Sequence, residues 1–203
     1  DVTVYAGVSD VGDGRTATFL DIDYDGLVDI FSSNHVNPNR LYHNGGDGTF
    51  TDIATLINIQ SPPDPFGTGF ADFDDDGDLD VFLATHFGNE LLQCSGVTNH
   101  WIQLNLVGTT SNIDAIGAVV YCEGPSTRSC MRVDGGHGMG DLDSRILAFG
   151  LGNTPGPTDI QVIWPSGLVE YWDDLAADTR YDIVEGTSTG TAGGSIVPVP
   201  GAP

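Results

Sequence analysis

The chain has 203 residues, enough to bury a core in one or two domains, and it is strongly acidic. It contains 29 Asp and Glu residues against 6 basic residues, which gives a formal net charge of −23 at pH 7. Such a surface repels nucleic acids and anionic membranes, so we expect neither nucleic-acid binding nor membrane insertion. No apolar run approaches the roughly 20 residues that a membrane-spanning helix needs.

Many of the acidic residues lie in two short segments with the same pattern. Residues 21–29 and 72–80 both read D-x-D-x-D-G-x-x-D. Two carboxylates about 4 Å apart repel each other by about 4 kcal/mol at an effective dielectric near 20. A divalent cation offsets this repulsion, so each segment is predicted to be a loop that holds one ion.

Calcium is the cation that suits these loops, because it accepts about six to eight oxygen ligands with tolerant geometry. The carboxylates at loop positions 1, 3, 5 and 9 and the carbonyl oxygen at position 7 are the predicted ligands. For the first ion they are Asp21, Asp23, Asp25, Asp29 and the Leu27 carbonyl; for the second they are Asp72, Asp74, Asp76, Asp80 and the Asp78 carbonyl.

These loops are not predicted to be EF-hands. An EF-hand has a bidentate Glu at position 12, where this chain has Ser32 and Leu83. EF-hand loops also lie between helices, whereas the segments Leu27–Phe31 and Leu79–Leu83 have the composition of strands.

The two loops belong to a longer internal repeat. At an offset of 51 residues, residues 1–45 align with the following part of the chain without a gap. In this alignment His35 matches His86 and His43 matches Cys94, so we interpret these residues as structural rather than catalytic. Repetition at this length indicates stacked supersecondary units.

Residues 99–185 are predicted to form a sandwich or small barrel of short strands. The predicted strands are Trp101–Val107, Ile116–Cys122, Ser129–Val133, Arg145–Phe149, Asp159–Trp164, Leu168–Trp172 and Tyr181–Val184, with one helical turn at Asp173–Asp178. Residues 186–203 are rich in Gly, Thr, Ser and Pro and are predicted to be an extended tail. The predicted fold is therefore all-β, with domains at 1–98 and 99–185 before the tail.

The three cysteines allow two interpretations. Cys122 and Cys130 flank a polar turn between two predicted strands, so a disulfide across this hairpin is one expectation. Cys94 is then left over. The alternative is three unpaired thiols.

Several motifs resemble known families. The repeat resembles the FG-GAP/VCBS type, the unit of integrin-like β-propellers, in its Asp loops, in Asn39–Asn44 and in Gly46–Asp52. Residues 99–185 resemble the ASPIC/UnbV domain that follows such repeats in cartilage-acidic-protein-like proteins; the matching motifs are His100-Trp101, Ile116–Ala118, Phe149–Gly152 and Trp164–Gly167. This resemblance implies two propeller-blade-like repeats that bind calcium, followed by a β domain. It also implies a secreted or cell-surface protein with a structural or adhesive role.

The number of repeats differs from that of a closed propeller, which needs about four to eight blades. Two copies leave strand edges open, and open edges favour pairing with other chains. We therefore expect the chain to self-associate. One form that this can take is a head-to-tail fibre, in which the tail of one subunit adds a strand to the open edge of the next. A compact monomer with a disordered tail is the alternative.

The chain is predicted to be non-catalytic. It has no Ser–His–Asp spacing or HExxH pattern, and the Gly-rich stretch Gly135–Gly140 follows a predicted strand, so it is either a connecting loop or a ligand-binding one. One alternative is a module that binds extracellular glycans through Trp101, Trp164 or Trp172. The other, which the resemblance to propellers suggests, is an enzyme of the polysaccharide lyase or dehydratase type.

Overall fold

The computed structural model describes residues 1–59, 65–86, 88–136 and 144–188. Every regular element in these residues is a β-strand, which confirms the all-β prediction. None of the described segments forms a helix with the length and apolar character required to cross a bilayer.

The chain forms two compact units. The first consists mainly of Asp1–Asp23 and Leu27–Val97, and the second mainly of Thr98–Gly135 and the residues from Arg145 onward. The short segment Tyr24–Gly26 groups with the second unit, where the Tyr24 carbonyl accepts a hydrogen bond of 2.9 Å from the amide of Gly152.

Two antiparallel sheets make up the first unit, and each contains one copy of the repeat. Their strands are Gly14–Leu20 (β1), Asp29–Asn34 (β2), Arg40–Asn44 (β3), Phe50–Asp52 (β4), Pro65–Ala71 (β5), Asp80–Thr85 (β6) and Glu90–Leu92 (β7). The strand orders are β1-β2-β3-β4 in the first sheet and β5-β6-β7 in the second. In β1, the side chains of Thr16, Thr18 and Leu20 are buried and those between them are exposed, as expected when one face of a strand covers a core.

The strand register confirms the repeat over the first two strands of each copy. β1 and β5 carry a register shift at equivalent places near their starts. Leu20 pairs with Asp29 in the first copy, and Ala71 pairs with Asp80 in the second, 51 positions later. Both Asp loops therefore begin and end at the same place in their ladders.

The gapless alignment is wrong beyond these strands. Ile30 pairs with Tyr42 in the first sheet, whereas its equivalent Val81 pairs with Leu92, which lies only 50 positions after Tyr42. The connection between β6 and β7 is therefore one residue shorter than the connection between β2 and β3.

This one-residue difference changes which side chains correspond. His43 is equivalent to Gln93, so the predicted equivalence of His43 and Cys94 is wrong. The backbone agrees with the shorter connection, because Gly46 and Gly96 have positive φ values of 76° and 89° and correspond at the same shifted offset.

Both sheets of the first unit contribute to one apolar core. Phe31 from β2 and Phe70 from β5 pack edge to face, with ring centroids 5.4 Å apart. Neither copy of the repeat alone contributes all of this core. Its buried residues are Leu20, Ile22, Phe31, Leu41, Ala54, Ile59, Phe70, Val81 and Leu83.

The second unit is a β-sandwich. Its strands are His100–Val107 (β8), Val119–Glu123 (β9), Arg128–Arg132 (β10), Leu147–Gly152 (β11), Thr158–Ile163 (β12), Val169–Leu175 (β13) and Thr179–Val184 (β14). The two sheets have the orders β10-β9-β12-β13 and β11-β8-β14, and β14 pairs with β8 in parallel. Buried residues from both sheets, such as Leu104 of β8 and Val162 of β12, form one core, and neither sheet closes into a barrel in the described residues.

Each of the seven strands predicted for this unit overlaps an observed one, but the predicted helical turn at Asp173–Asp178 is wrong. β13 continues through the first part of that segment to Leu175. Ile160 pairs with Trp172 while Thr158 pairs with Leu175, so β13 contains an extra residue there. A bulge of this kind accommodates the polar residues without ending the strand.

The predicted disulfide is absent, because Cys122 and Cys130 are both free. Cys122 pairs with Ser129, and Cys130 pairs with Tyr121. Adjacent residues of a strand point to opposite faces, so the Cys122 thiol lies in the core while Cys130 is exposed on the other face. A hairpin places two cysteines on one face only when they are paired in register or offset by an even number of residues.

Candidate metal centres

The two Asp loops connect equivalent strands, β1 to β2 and β5 to β6. Each loop turns sharply with two residues in the left-handed region of backbone conformation. These are Tyr24 (φ 57°) and Gly26 (φ 92°) in the first loop, and Asp75 (φ 60°) and Gly77 (φ 100°) in the second. The glycine of the D-x-D-x-D-G pattern therefore supplies a backbone conformation that other residues adopt less readily.

The first loop brings three of its predicted ligands together. Carboxylate oxygens of Asp21, Asp23 and Asp29 lie within 4.8 Å of one another. Asp29 is completely buried, and its carboxylate accepts hydrogen bonds from the amides of Ile22 (3.1 Å) and Asn44 (2.8 Å). The backbone thus fixes the last carboxylate of the loop in place.

The second loop repeats this arrangement. Carboxylate oxygens of Asp72, Asp74 and Asp80 also lie within 4.8 Å of one another. The buried Asp80 accepts hydrogen bonds from the amides of Phe73 (2.9 Å) and Cys94 (2.8 Å). The donors occupy equivalent positions in the two repeats once the shorter β6–β7 connection is taken into account.

Burial makes the charge on these closing carboxylates costly. It raises the pKa of Asp29 to about 6, although hydrogen bonds from the amides of Asn44 and Ile22 act in the opposite direction. Burial also raises the pKa of Asp80, and the negative charge of Asp74 adds to this increase. A cation between the carboxylates would favour their ionised form.

The remaining predicted ligands are arranged less uniformly. Oxygens of Asp23 and Asp25 and a ring nitrogen of His43, all in or beside the first loop, lie within 4.8 Å of one another. Asp76 accepts a hydrogen bond of 2.9 Å from the amide of Asp78, whose own carboxylate accepts one from Val97. The carbonyl oxygens of Leu27 and Asp78 remain predicted ligands.

Sequence reasoning missed one feature, a nitrogen-bearing side chain beside the second Asp of each loop. Nε2 of His43 lies 3.1 Å from Oδ2 of Asp23. In the second repeat, Nε2 of Gln93 donates a hydrogen bond to Oδ2 of Asp74. The gapless alignment concealed this correspondence because it matched His43 with Cys94.

The geometry of both clusters fits calcium. Oxygens bound to one calcium ion at about 2.4 Å are at most about 4.8 Å apart, which is the limit within which each trio of carboxylates lies. The donors in the two trios are all carboxylate oxygens, the type that calcium prefers. With calcium bound, these carboxylates would hold the two ends of each loop to the same ion.

The tryptophans predicted to bind glycans are mostly inaccessible. Trp164 and Trp172 are only 1% and 6% exposed and belong to the core of the sandwich, whereas Trp101 is half-buried. Of the Gly-rich stretch, Gly135 and Gly136 are described, and the rest lies outside the described residues.

Comparison with known families agrees with this architecture. A family model for the FG-GAP-like repeat matches residues 21–83, which contain both Asp loops. A model for the family described as ASPIC and UnbV matches residues 108–190, most of the second unit. The chain carries FG-GAP-like repeats followed by an ASPIC/UnbV domain.

Three relatives are similar in sequence to part of this chain and are much longer than it. The chain is 40% identical to human cartilage acidic protein 1 and 39% identical to its mouse counterpart, in each case over 82 residues, or 40% of this chain. It is 30% identical to the Xenopus tropicalis protein over 110 residues, or 54% of this chain. The aligned segments cover 12%, 13% and 17% of those proteins, so the chain matches less than a fifth of the length of each relative.

Proposed function

We propose that this chain is a non-catalytic extracellular protein with a structural or adhesive role, and that two calcium ions stabilise it. The observation that carries the proposal is the duplicated cluster. Two loops 51 residues apart each gather three carboxylates, and each closes on a buried Asp held by two backbone amides. Because both loops bring together carboxylates that would otherwise repel one another, we infer that both bind calcium.

Two observations support the proposed extracellular location: the calcium concentration that such sites need and the name of the relatives. A site with a dissociation constant of about 10 μM is nearly saturated at millimolar calcium, where each ion adds about 2.7 kcal/mol of stability. The name of the relatives, cartilage acidic protein 1, supports a role outside the cell.

Metal analysis and thermal unfolding test the calcium proposal together. Purified protein dialysed against calcium should retain two ions per chain, and chelation with EDTA should lower its melting temperature. A chain that retains no calcium and melts at the same temperature in EDTA contradicts the proposal. Magnesium at the same concentration is the matched control, because its small octahedral shell suits these carboxylate clusters poorly.

We also propose that the chain self-associates into a fibre. The first sheet has four strands and the second has three, so β7 has no outer neighbour among the described strands. Phe82 of β6 and Leu91 of β7 pair directly and are 43% and 51% exposed. An edge strand beside exposed apolar side chains favours pairing with a further strand, and the proposed strand is the C-terminal tail of a second copy.

Electron microscopy tests the fibre. The wild-type chain should form filaments in calcium and lose them in EDTA. Removal of residues 189–203 should abolish the filaments and leave the sandwich folded. This deletion retains residues 186–188, where the carboxylate of Glu170 accepts hydrogen bonds from the amides of Gly186 (2.8 Å) and Ser188 (2.9 Å).

A charge at the open edge gives a second test of the fibre. Leu91→Lys should prevent filaments, because a lysine on an edge strand opposes further pairing. Leu56→Lys is the matched control, since Leu56 is 80% exposed and lies in a turn. A monodisperse monomer at high protein concentration in calcium would contradict self-association. Filaments that persist in the deletion variant would contradict the tail's role in it.

A further inference from the structure

The two calcium loops differ in one side chain that lies next to the same carboxylate. His43 and Gln93 occupy equivalent positions on β3 and just after β7, as the pairing of these strands shows. His43 approaches Asp23 with a nitrogen-to-oxygen distance of 3.1 Å, and Gln93 donates a hydrogen bond to Asp74. Both side chains therefore contact the second Asp of their own loop.

The chemistry of these two side chains is different. The amide nitrogen of glutamine only donates hydrogen bonds, so Gln93 can orient Asp74 but cannot supply a nitrogen ligand. An imidazole nitrogen can either donate a hydrogen bond or bind a metal ion directly. Imidazole suits zinc, copper, iron and nickel, whereas carboxylate and carbonyl oxygens suit calcium and magnesium.

The distance between His43 and Asp23 fits binding to one small ion. Two donors held at about 2.1 Å from a metal, at an angle of about 90–110°, are about 3.0–3.4 Å apart. Nε2 of His43 and Oδ2 of Asp23 are 3.1 Å apart. Both side chains are partly exposed, at 30% and 42%, so an ion can enter from solvent.

A further oxygen belongs to the same group in the first loop. A carboxylate oxygen of Asp25 lies within 4.8 Å of both an oxygen of Asp23 and a ring nitrogen of His43. Two carboxylate oxygens and one imidazole nitrogen make three protein ligands, the number found in open zinc sites where water completes the shell. Among the described residues, no histidine joins the carboxylate group of the second loop, where Gln93 contacts Asp74 instead.

We propose that the first loop also accepts a borderline transition metal such as zinc or cobalt(II), with His43 as its nitrogen ligand, and that the second loop accepts only hard cations such as calcium. This inference rests on the proposed function, because it uses the same loop as a metal site. It assigns different metal selectivity to two loops that share one sequence pattern.

A pair of exchanged side chains tests the inference. His43→Gln gives the first loop the chemistry of the second, and Gln93→His does the reverse. We expect the wild-type chain to bind one cobalt(II) ion with the absorption bands of nitrogen and oxygen ligation. We expect His43→Gln to weaken this binding at least 10-fold and Gln93→His to create a second site.

A matched control separates this site from ordinary surface histidines. Nδ1 of His100 lies 2.7 Å from Oδ2 of Asp178, so it offers an exposed His–Asp pair without a cluster of carboxylates. His100→Gln should leave cobalt binding within about 2-fold of wild type. Zinc competition by isothermal titration should follow the same order in all four proteins.

Calcium titrations of the same proteins separate calcium binding by the two loops from the nitrogen ligation proposed for the first. His43→Gln should still bind two calcium ions, since glutamine can orient Asp23 as Gln93 orients Asp74 in the second loop. If the wild-type chain binds no calcium, the proposed function fails. If calcium binds but cobalt binding is unchanged in His43→Gln, or Gln93→His gains no site, the inference fails while the proposed function stands. Circular dichroism of each variant verifies that it is folded.

Discussion

The backbone amide of Cys94 donates a hydrogen bond of 2.8 Å to Oδ1 of the buried Asp80. This bond ties the segment just after β7 to the last carboxylate of the second Asp loop. The equivalent bond in the first repeat runs from Asn44, the last residue of β3, to Asp29, also at 2.8 Å. Each loop is therefore anchored by a later part of its own repeat, and a change at the closing Asp should affect this anchor as well as any bound metal.

Asp80→Asn should remove one of the two proposed calcium sites. The variant retains the size of the side chain but loses the charge that would face the ion. At a calcium concentration 100 times the dissociation constant, each site adds about 2.7 kcal/mol, so the stability gained on adding calcium should fall by about this amount. Urea unfolding in calcium and in EDTA measures the difference for each protein.

Asp75→Asn is the control for this prediction. It removes one charge from the same loop, at an exposed position that is not a predicted ligand, and asparagine tolerates the positive φ found there. Its calcium-dependent gain should equal that of the wild type. An equal loss in both variants would indicate a general effect of charge rather than a specific ligand.

Leu83→Ala should destabilise the first unit by about 2–5 kcal/mol, because it leaves a cavity in a tightly packed core. Leu83 is completely buried and belongs to the core that both repeats share. Leu56→Ala, at an exposed turn, should change stability by less than about 0.5 kcal/mol. Urea unfolding in calcium compares the two variants, and a small effect at Leu83 would argue against a shared core.

The Asp loops could be predicted because their signal is local. The spacing predicts that four carboxylates converge once the glycine turns the chain, and Asp21, Asp23 and Asp29 do so in the first loop. Asp25 instead groups with Asp23 and His43, a contact from another strand that the spacing does not show. The strands of the second unit were also predictable, since alternating or continuous apolar residues between turn signals identify them.

Register was not predictable, and the reason lies in particular residues. The second repeat has two adjacent leucines, Leu91 and Leu92. Leu41 therefore aligns with a leucine at an offset of either 50 or 51 residues, so the alignment does not reveal that the β6–β7 connection is one residue shorter. Only the pairing of Leu92 with Val81 decides the matter. Neither His43 nor Gln93 could therefore be assigned to its loop from the sequence alone.

The same limit explains the cysteines. A shift of one residue moves a side chain to the opposite face of a sheet, and the turn between β9 and β10 sets that register. Glu123 pairs with Arg128, and this pairing puts Cys122 and Cys130 on different faces. The sequence gives no independent measure of this pairing, because several turn conformations fit the intervening Gly-Pro-Ser-Thr segment.

The three thiols should differ in reactivity in the native protein. Cys130 is exposed and should react quickly with a thiol reagent, and the half-buried Cys94 should react more slowly. Cys122 should react only after unfolding, because it is buried and burial raises its pKa to about 12, which suppresses the reactive thiolate. Timed labelling with mass spectrometry measures the order.

Reducing agents provide a second measurement on the cysteines. Without a disulfide, dithiothreitol should leave the melting temperature unchanged. A mass two units below that of the fully reduced chain, together with a lower melting temperature after reduction, would contradict the structure.

Glu185 should contribute to stability in a way that depends on pH. Its carboxylate lies at the end of β14 and accepts hydrogen bonds from three consecutive amides and two hydroxyl groups. The donors are the amides of Thr109 (2.8 Å), Thr110 (2.8 Å) and Ser111 (2.7 Å) and the hydroxyls of Ser111 (2.9 Å) and Ser166 (2.5 Å). Burial acts to raise the pKa of Glu185, but these hydrogen bonds outweigh it and lower the pKa to about 2.

Because the folded pKa lies below the ordinary value of 4.5, the ionised form of Glu185 stabilises the fold. This contribution is complete above about pH 4.5 and is lost as the pH falls towards 2. Glu185→Gln should therefore have a lower urea midpoint than wild type at pH 7, and the gap should narrow between pH 4.5 and 2. Glu90→Gln, on the edge strand β7, controls for the loss of one negative charge. A gap for Glu185→Gln that is constant with pH would mean that shape, rather than charge, determines the role of this side chain.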